Sequence, residues 1–363
     1  MTPLRPGDPA PWFVGATSAN PQYVFASTAG RYVALCFVDS SRSPAGRAMQ
    51  GLIATRRALF DDATLALFGV TADAEDREQV VDDLPGVRWF HDPAREIAGQ
   101  FGLVQGADEG TWLILDPTLR VVAVGGLAQL AQLGTIAAQL PPVALHAGVE
   151  ISAPVLLTPR VFEPDFCRRL IALYEAQGGH ERGFMVERDG KTVEVADHAF
   201  KRRADHVMED AELRRACLTR ISRRLAPEIQ KAFQFKATRM ERYLIGRYDS
   251  AVGGHFRPHR DNTTKGTAHR RFAVTLNLNA EAYEGGELVF PEFGPKRYKP
   301  PTGGAVVFSC SLMHEATPVT RGVRYAFLPF LYDEEAARLR EQNNPHLHES
   351  VDRYRPETLP ADL

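Results

Sequence analysis

Lysine is absent from the first 190 residues; the first to appear is Lys191. Cysteine is scarce, with only Cys36, Cys167, Cys217 and Cys310, and no Cys-x-x-Cys. That spacing leaves a disulfide framework or a cysteine-based zinc site without support. Neither sign of charge is in excess: 43 Lys plus Arg face 45 Asp plus Glu, for a formal net charge of -2. A chain so balanced has no global pull toward nucleic acid or an anionic membrane, so neither is expected as a partner. The N-terminus lacks the apolar core of a signal peptide. Long apolar runs are missing too. The longest stretch without Asp, Glu, Lys or Arg runs from Val121 to Val149, but Gly125-Gly126 and Pro141-Pro142 interrupt it. It reads as a strand over 121–124 and an amphipathic helix with Leu130, Leu133, Ala137 and Leu140 on one face, not as a membrane span. No repeat or low-complexity run occurs, and a cytoplasmic protein is expected.

What is present points to two domains. At about 150 residues per domain, 363 residues suggest two or slightly more. Hydrophobic residues at 44% and charged residues at 24% fit ordinary globular units. Composition changes near residue 145, where Pro141-Pro142 and Gly148 mark a linker. Residues 1–146 carry 10 Arg against 15 Asp plus Glu, whereas 201–247 carry 13 basic against 6 acidic residues. The expected organisation is 1–145, 150–335 and a polar tail over 336–363.

The first half alternates strand signals (31–39, 65–70, 111–115) with helical patterns (45–60, 73–84), which predicts an α/β layer structure. Several short motifs recur in order: Pro6-Gly7-Asp8-Pro9-Ala10-Pro11, Phe68-Gly69-Val70-Thr71-Ala72-Asp73, His91-Asp92-Pro93, Phe101-Gly102-Leu103 and Thr111-Trp112-Leu113-Ile114-Leu115-Asp116-Pro117. Over roughly residues 3 to 140 this order resembles the thioredoxin-fold peroxiredoxins. Their chemistry needs a thiolate at a helix N-terminus. Here the matching position holds Gly46, and Cys36 lies ten residues earlier inside an apolar strand. The expectation is a redox-silent thioredoxin-like domain without a catalytic cysteine, used for packing, partner recruitment or a homodimer.

The second half opens with a helix led by Pro164 and a helical run over 211–233. Short strands follow over 239–248, 272–278, 287–290, 305–309 and 324–332, separated by Gly and Pro turns. This predicts an α+β domain with an antiparallel sandwich or barrel. Within it lies Gly254-His255-Phe256-Arg257-Pro258-His259-Arg260-Asp261. Residues two apart on an extended chain point the same way, so His259 and Asp261 can grip one ion. His314 is the natural third ligand. Two imidazoles and a carboxylate with open positions suit non-haem Fe(II).

The ordered set His259, Asp261, Gly285-Gly286-Glu287-Leu288-Val289-Phe290-Pro291, Gly303-Gly304-Ala305-Val306-Val307-Phe308, His314 and Arg324 resembles the prolyl 4-hydroxylase-like Fe(II)/2-oxoglutarate dioxygenases over about residues 155 to 335. The resemblance implies a double-stranded β-helix (jelly-roll) core. It implies Fe(II) on His259, Asp261 and His314, and Arg324 on the distal carboxylate of 2-oxoglutarate, a job suited to a planar fork. Many animal collagen-type relatives use Lys there, so Arg324 places this chain nearer other branches. Tyr248, eleven residues before His259, matches a tyrosine that contacts the cosubstrate, and Asn277 and Thr275 lie where relatives place a further polar contact. The implied cofactors are Fe(II), 2-oxoglutarate and O2, with room for ascorbate. The implied reaction hydroxylates a C–H bond of a protein or peptide residue such as proline, with release of succinate and CO2.

Rival readings stand beside these. Zinc can take two His and one carboxylate, but Arg324 has no use in a zinc hydrolase. The substrate can be a free amino acid or small metabolite instead, or the chain a non-catalytic scaffold with a vestigial oxygenase core. His255 and Arg257 share strand parity with His259 and are substrate-side candidates unless Pro258 breaks that parity. The basic stretch 201–247 reads as a solvated helical face or a docking surface for an acidic partner. The polar segments 180–205 and 262–269 are lid candidates.

Overall fold

A computed structural model of the chain describes residues 2–103, 110–351 and 353–354. Of the expected tail, 352 and 355–363 lie outside the described residues. The chain divides into two compact units: Met1–Ser152 with Pro291–Pro295, and Ala153–Phe290 with Lys296–Leu363. Among the described residues no helix is long and apolar enough to cross a membrane.

The first unit is built on β1 (Tyr32–Val38), α1 (Pro44–Arg56), β2 (Leu65–Thr71), β3 (Val87–His91), β4 (Trp112–Leu115), β5 (Val121–Gly125) and α2 (Leu130–Gln139). The strands form one mixed sheet in the order β3-β2-β1-β4-β5. β1, β2 and β3 are parallel, and β4 and β5 run antiparallel. All seven residues of β1 and of β2 are buried, as continuous apolar strands covered on both faces must be. One face packs Ala34, Cys36, Leu67, Trp89 and Ile114 with Met49 of α1 and Leu133 of α2. The other carries an aromatic cluster, with Phe13 stacked on Phe25 at 4.6 Å and Phe68 on Phe90 at 5.3 Å. The helix expected over 73–84 shrinks to Asp76–Gln79. The Asp76 carboxylate turns inward instead, accepting from Ser41 N and Ser41 Oγ, both at 2.6 Å.

The second unit runs β6 (Leu156–Thr158), α3 (Pro164–Gln177), β7 (Phe184–Arg188), β8 (Lys191–Val195), β9 (Lys201–Arg202), β10 (Ala204–Val207), α4 (Ala211–Arg224), α5 (Ala226–Phe233), β11 (Arg239–Glu241), β12 (Leu244–Asp249) and β13 (His255–His259). It continues with β14 (Phe272–Asn277), β15 (Leu288–Val289), β16 (Arg297–Tyr298), β17 (Ala305–Ser309), β18 (His314–Ala316), β19 (Val323–Phe327), β20 (Phe330–Tyr332) and α6 (Glu334–Gln342). The large antiparallel sheet contains β11-β20-β14-β19-β12-β10, with β17 on β14 and β6 on β17; the small one is β9-β13-β18-β15-β16. Both sheets contribute walls to one cavity, the geometry of a jelly-roll core.

Period-two alternation assigns the two faces of the large sheet. Ile245, Val274, Leu276, Val307 and Phe327 pack against Phe166, Leu170, Leu213, Cys217, Ile221 and Ile229 of the helices. Ala273, Thr275, Tyr248 and Arg324 turn the other way, into the cavity. Three expected elements are each broken in two. Pro227 has no N–H for the Arg223 carbonyl, so the 211–233 run splits at Leu225. Leu328-Pro329 separates β19 from β20, and a left-handed residue, Arg242 (φ 66°), separates β11 from β12.

Candidate metal centre

β13 and β18 pair antiparallel, and His259 sits directly across from His314. Asp261 lies two residues past the end of β13, pinned by its N–H to the Cys310 carbonyl at 3.0 Å. Ligand atoms of the three side chains all lie within 4.8 Å of one another. Asp261 Oδ1 is 3.6 Å from His259 Nε2, and Oδ2 is 3.3 Å from His314 Nε2. Each imidazole donates from Nδ1 to a carbonyl two residues back: His259 to Arg257 at 2.7 Å, His314 to Leu312 at 3.1 Å. That fixes the tautomer and leaves both Nε2 lone pairs facing the carboxylate, as a metal site requires. Burial pushes the His314 imidazole down to about 4, so it is neutral and ready to ligate near pH 7. Burial alone raises Asp261; the His314 and His259 imidazoles outweigh it and lower its carboxyl below the usual range. The donor set fits a divalent metal with open positions.

Arg324 lines the same cavity and is only 1% exposed. Its Nε and Nη1 find no hydrogen-bond partner among the described residues. Its guanidinium lies 4.7 Å from the centre of the Tyr248 ring. Leaving donors of a buried cation unmade costs roughly 1–3 kcal/mol or more, so these two donors are free to take an anion. Room for the side chain comes from Gly286 (φ 66°), where a Cβ would stand 3.0 Å from Arg324 Cδ. Arg324 and the triad thus line one cavity.

Thr275 and Tyr248, the other expected cosubstrate contacts, also line the cavity. Asn277 does not; its Nδ2 donates to the Pro300 carbonyl at 2.8 Å and its Oδ1 accepts from Tyr283 at 3.3 Å. His255 and Arg257 stay out as well. β13 carries one extra residue between Phe256 and His259, because Phe256 faces Ala316 while His259 faces His314. Pro258 lies in that bulge and the parity flips. Phe256, not His255, stacks on the His259 ring at 3.6 Å. His255 Nε2 and Arg257 Nε instead point to the Ala199 carbonyl, at 3.1 and 2.8 Å.

Arg203 and Arg242 line the cavity without having been singled out in the sequence. The basic stretch 201–247 is thus not one surface. Lys201 is buried in β9 and Arg203 is buried between β9 and β10, while Arg215 and Arg223 are exposed on α4. Arg203 grips Asp205 at 2.6 and 2.8 Å and donates to the Tyr248 hydroxyl at 3.3 Å. The lid candidates are joined: Gly266 N donates to Thr192 Oγ1 of β8 at 2.9 Å, and Lys265 N to Glu187 of β7 at 3.2 Å.

Residues 243–332 match the model of the 2OG-Fe(II) oxygenase superfamily. The C-terminal unit therefore carries a 2OG-Fe(II) oxygenase domain, a class that uses Fe(II), 2-oxoglutarate and O2, and the matched residues include the triad and Arg324. The chain is 38% identical over 104 residues to the PKHD-type hydroxylase YbiX of Escherichia coli, covering 27% of this chain and 45% of that protein. It is 42% identical over 81 residues to a PKHD-type hydroxylase of Klebsiella pneumoniae, covering 22% and 35%. The chain thus spans less than half the length of either curated relative. A prolyl-4-hydroxylase structure from Pseudomonas putida is similar at 19% identity and a TM-score of 0.39, over 50% of this chain and 94% of that one.

Proposed function

We propose that the protein hydroxylates a C–H bond of a protein or peptide residue, such as proline, and converts 2-oxoglutarate to succinate and CO2. The observation that carries this reading is a single cavity holding His259, Asp261 and His314 at one place and the partnerless donors of Arg324 at another. When bound, the metal and cosubstrate supply O2 activation. The chain's own residues do the rest. The imidazoles and Asp261 hold the metal, and Arg324 anchors the distal carboxylate, with Tyr248 and Thr275 beside it. Phe256, Leu288 and Phe308 make that pocket apolar and limit water. The test is succinate release by the iron-loaded protein with a peptide panel against a panel of free amino acids and metabolites. Turnover confined to the second panel replaces the peptide reading with the small-molecule one; no 2-oxoglutarate consumption at all leaves a scaffold.

The first unit we read as a thioredoxin-like, peroxiredoxin-related domain without redox chemistry. Its strand order supports this, as does the state of its thiol: burial pushes Cys36 up to about 12. At Gly46 a Cβ would stand 2.2 Å from the Ser40 carbonyl oxygen and 2.5 Å from that of Ser41. The position where the resemblance puts a catalytic thiol therefore has no room for any side chain. Thiol-dependent peroxidase activity in the full chain contradicts this reading.

A further inference from the structure

Three guanidinium groups line the cavity, from Arg203, Arg242 and Arg324, against one carboxylate, that of Asp261. Two of the three have work. Arg324 awaits the cosubstrate, and Arg203 is held by Asp205 and Tyr248. Arg242 is surplus. Its carboxylate contact is Asp205 Oδ2 at 3.6 Å, already gripped by Arg203, and its side chain is 28% exposed. Its guanidinium otherwise lies 5.4 Å from the centre of the Phe330 ring, another lining residue. The neighbouring Arg270 is not free in this way, being bound to Glu241 at 2.7 Å. A charge count gives the same answer. Fe(II) and 2-oxoglutarate cancel, Asp205 offsets Arg203, and Asp261 offsets Arg324, so one positive charge remains.

The backbone supplies an independent observation. Arg242 sits at φ 66°, where Leu244 N bonds back to its carbonyl at 2.9 Å. Among the described residues, six non-glycine residues have positive φ, and of these Arg242 alone lines the cavity. Strain of this kind tends to collect at ligand clamps. Here it breaks the strand between β11 and β12 at the residue that reaches the cavity.

We propose that Arg242 binds a carboxylate of the substrate, so that the enzyme prefers a target bearing a negative charge close to the hydroxylated carbon. The inference rests on the oxygenase reading above and narrows its substrate class. A planar fork lining the cavity and partly exposed suits bidentate capture of a carboxylate. The carboxylate comes either from an acidic side chain in a peptide or from the α-carboxylate of a free amino acid.

The full-length, iron-loaded protein with 2-oxoglutarate is titrated anaerobically with matched probes. One pair is a pool of blocked hexapeptides with Glu beside Pro and the same pool with Gln. The other is a set of free L-amino acids and their amides. Binding is read by calorimetry and succinate release is then measured in air. In one pair the carboxylate member binds on the order of tenfold tighter or more. Arg242→Asn, a residue that tolerates the left-handed conformation, shrinks the preference to within about twofold. Arg242→Lys keeps part of it. The affinity for 2-oxoglutarate stays unchanged in both variants. The proposal is overturned when neither probe of either pair binds, when carboxylate and amide bind alike, or when the preference survives in Arg242→Asn. Failure of the oxygenase reading looks different: the unaltered protein then binds no 2-oxoglutarate and releases no succinate under any condition.

Discussion

Position 46 in the first unit and the triad cavity in the second are the two places where sequence resemblance points to chemistry. At Gly46 backbone carbonyls close in on the space a side chain would need, and the nearest-in-sequence thiol, Cys36, is fully enclosed. In the cavity the reverse holds. Arg324 is just as buried, yet two of its donors have no partner among the described residues. Burial therefore does not separate the two; what separates them is whether polar capacity is left unspent. Cys36 is a small apolar group in an apolar strand, while Arg324 is a charge held in reserve.

That contrast can be broken from either side. The largest effect is expected from His314→Ala or His259→Ala, which removes a ligand: metal analysis should show loss of bound iron, and succinate release should fall below about a thousandth. Next comes Arg324→Ala, which should raise the dissociation constant for 2-oxoglutarate by roughly 30- to 1000-fold, a loss of about 2–4 kcal/mol, in a direct binding titration. Unchanged affinity would remove Arg324 from the site. In the first unit Gly46→Ala should destabilise by about 1–3 kcal/mol, since the obstructing atoms are backbone and cannot swing away, and a lower melting temperature reports it. Gly46→Cys should show the same loss with no gain of peroxidase activity.

The remaining expected effects are pH-linked. Burial raises Cys36, Cys167 and Cys217 to about 12 each. Unfolded thiols lose their protons near pH 8.5, so above that the folded state holds more protons than the unfolded one. Stability should then fall as pH rises toward 12, by at most about 1.4 kcal/mol per pH unit for each thiol. Denaturant midpoints between pH 8 and 10 check the sign. For the same reason native Cys36 should resist alkylation at pH 8, whereas the unfolded chain reacts.

Much of this was legible in the sequence because its signals are local. His259 and Asp261 lie two apart, the β1 and β2 runs are wholly apolar, and the Gly-Gly pairs mark forced turns. What was not legible depends on partners distant along the chain. Counting along β13 favours His255 and Arg257; only the pairing with β18 reveals the extra residue that admits Phe256 instead. Asn277 lies on a strand whose alternate residues face the cavity, but the Pro300 carbonyl, brought in by a later loop, takes its amide. The run of basic residues over 201–247 resembled one solvated face until strand and helix split it. The hairpin of β7 and β8 stayed hidden because its residues are mostly half-exposed, without a strong apolar alternation.

The bulge at Arg257-Pro258 also constrains how this cavity can change. Point substitution alters only side chains already aimed inward, such as Phe256. Losing one residue upstream of His259 would rotate the preceding strand by half a pleat and trade its inward set for its outward set. The ligands themselves would keep their places, because Asp261 is tethered to the Cys310 carbonyl and His259 to its partner across β18. Here a change in chain length, with no new chemistry at the metal, is enough to re-line one wall of the pocket.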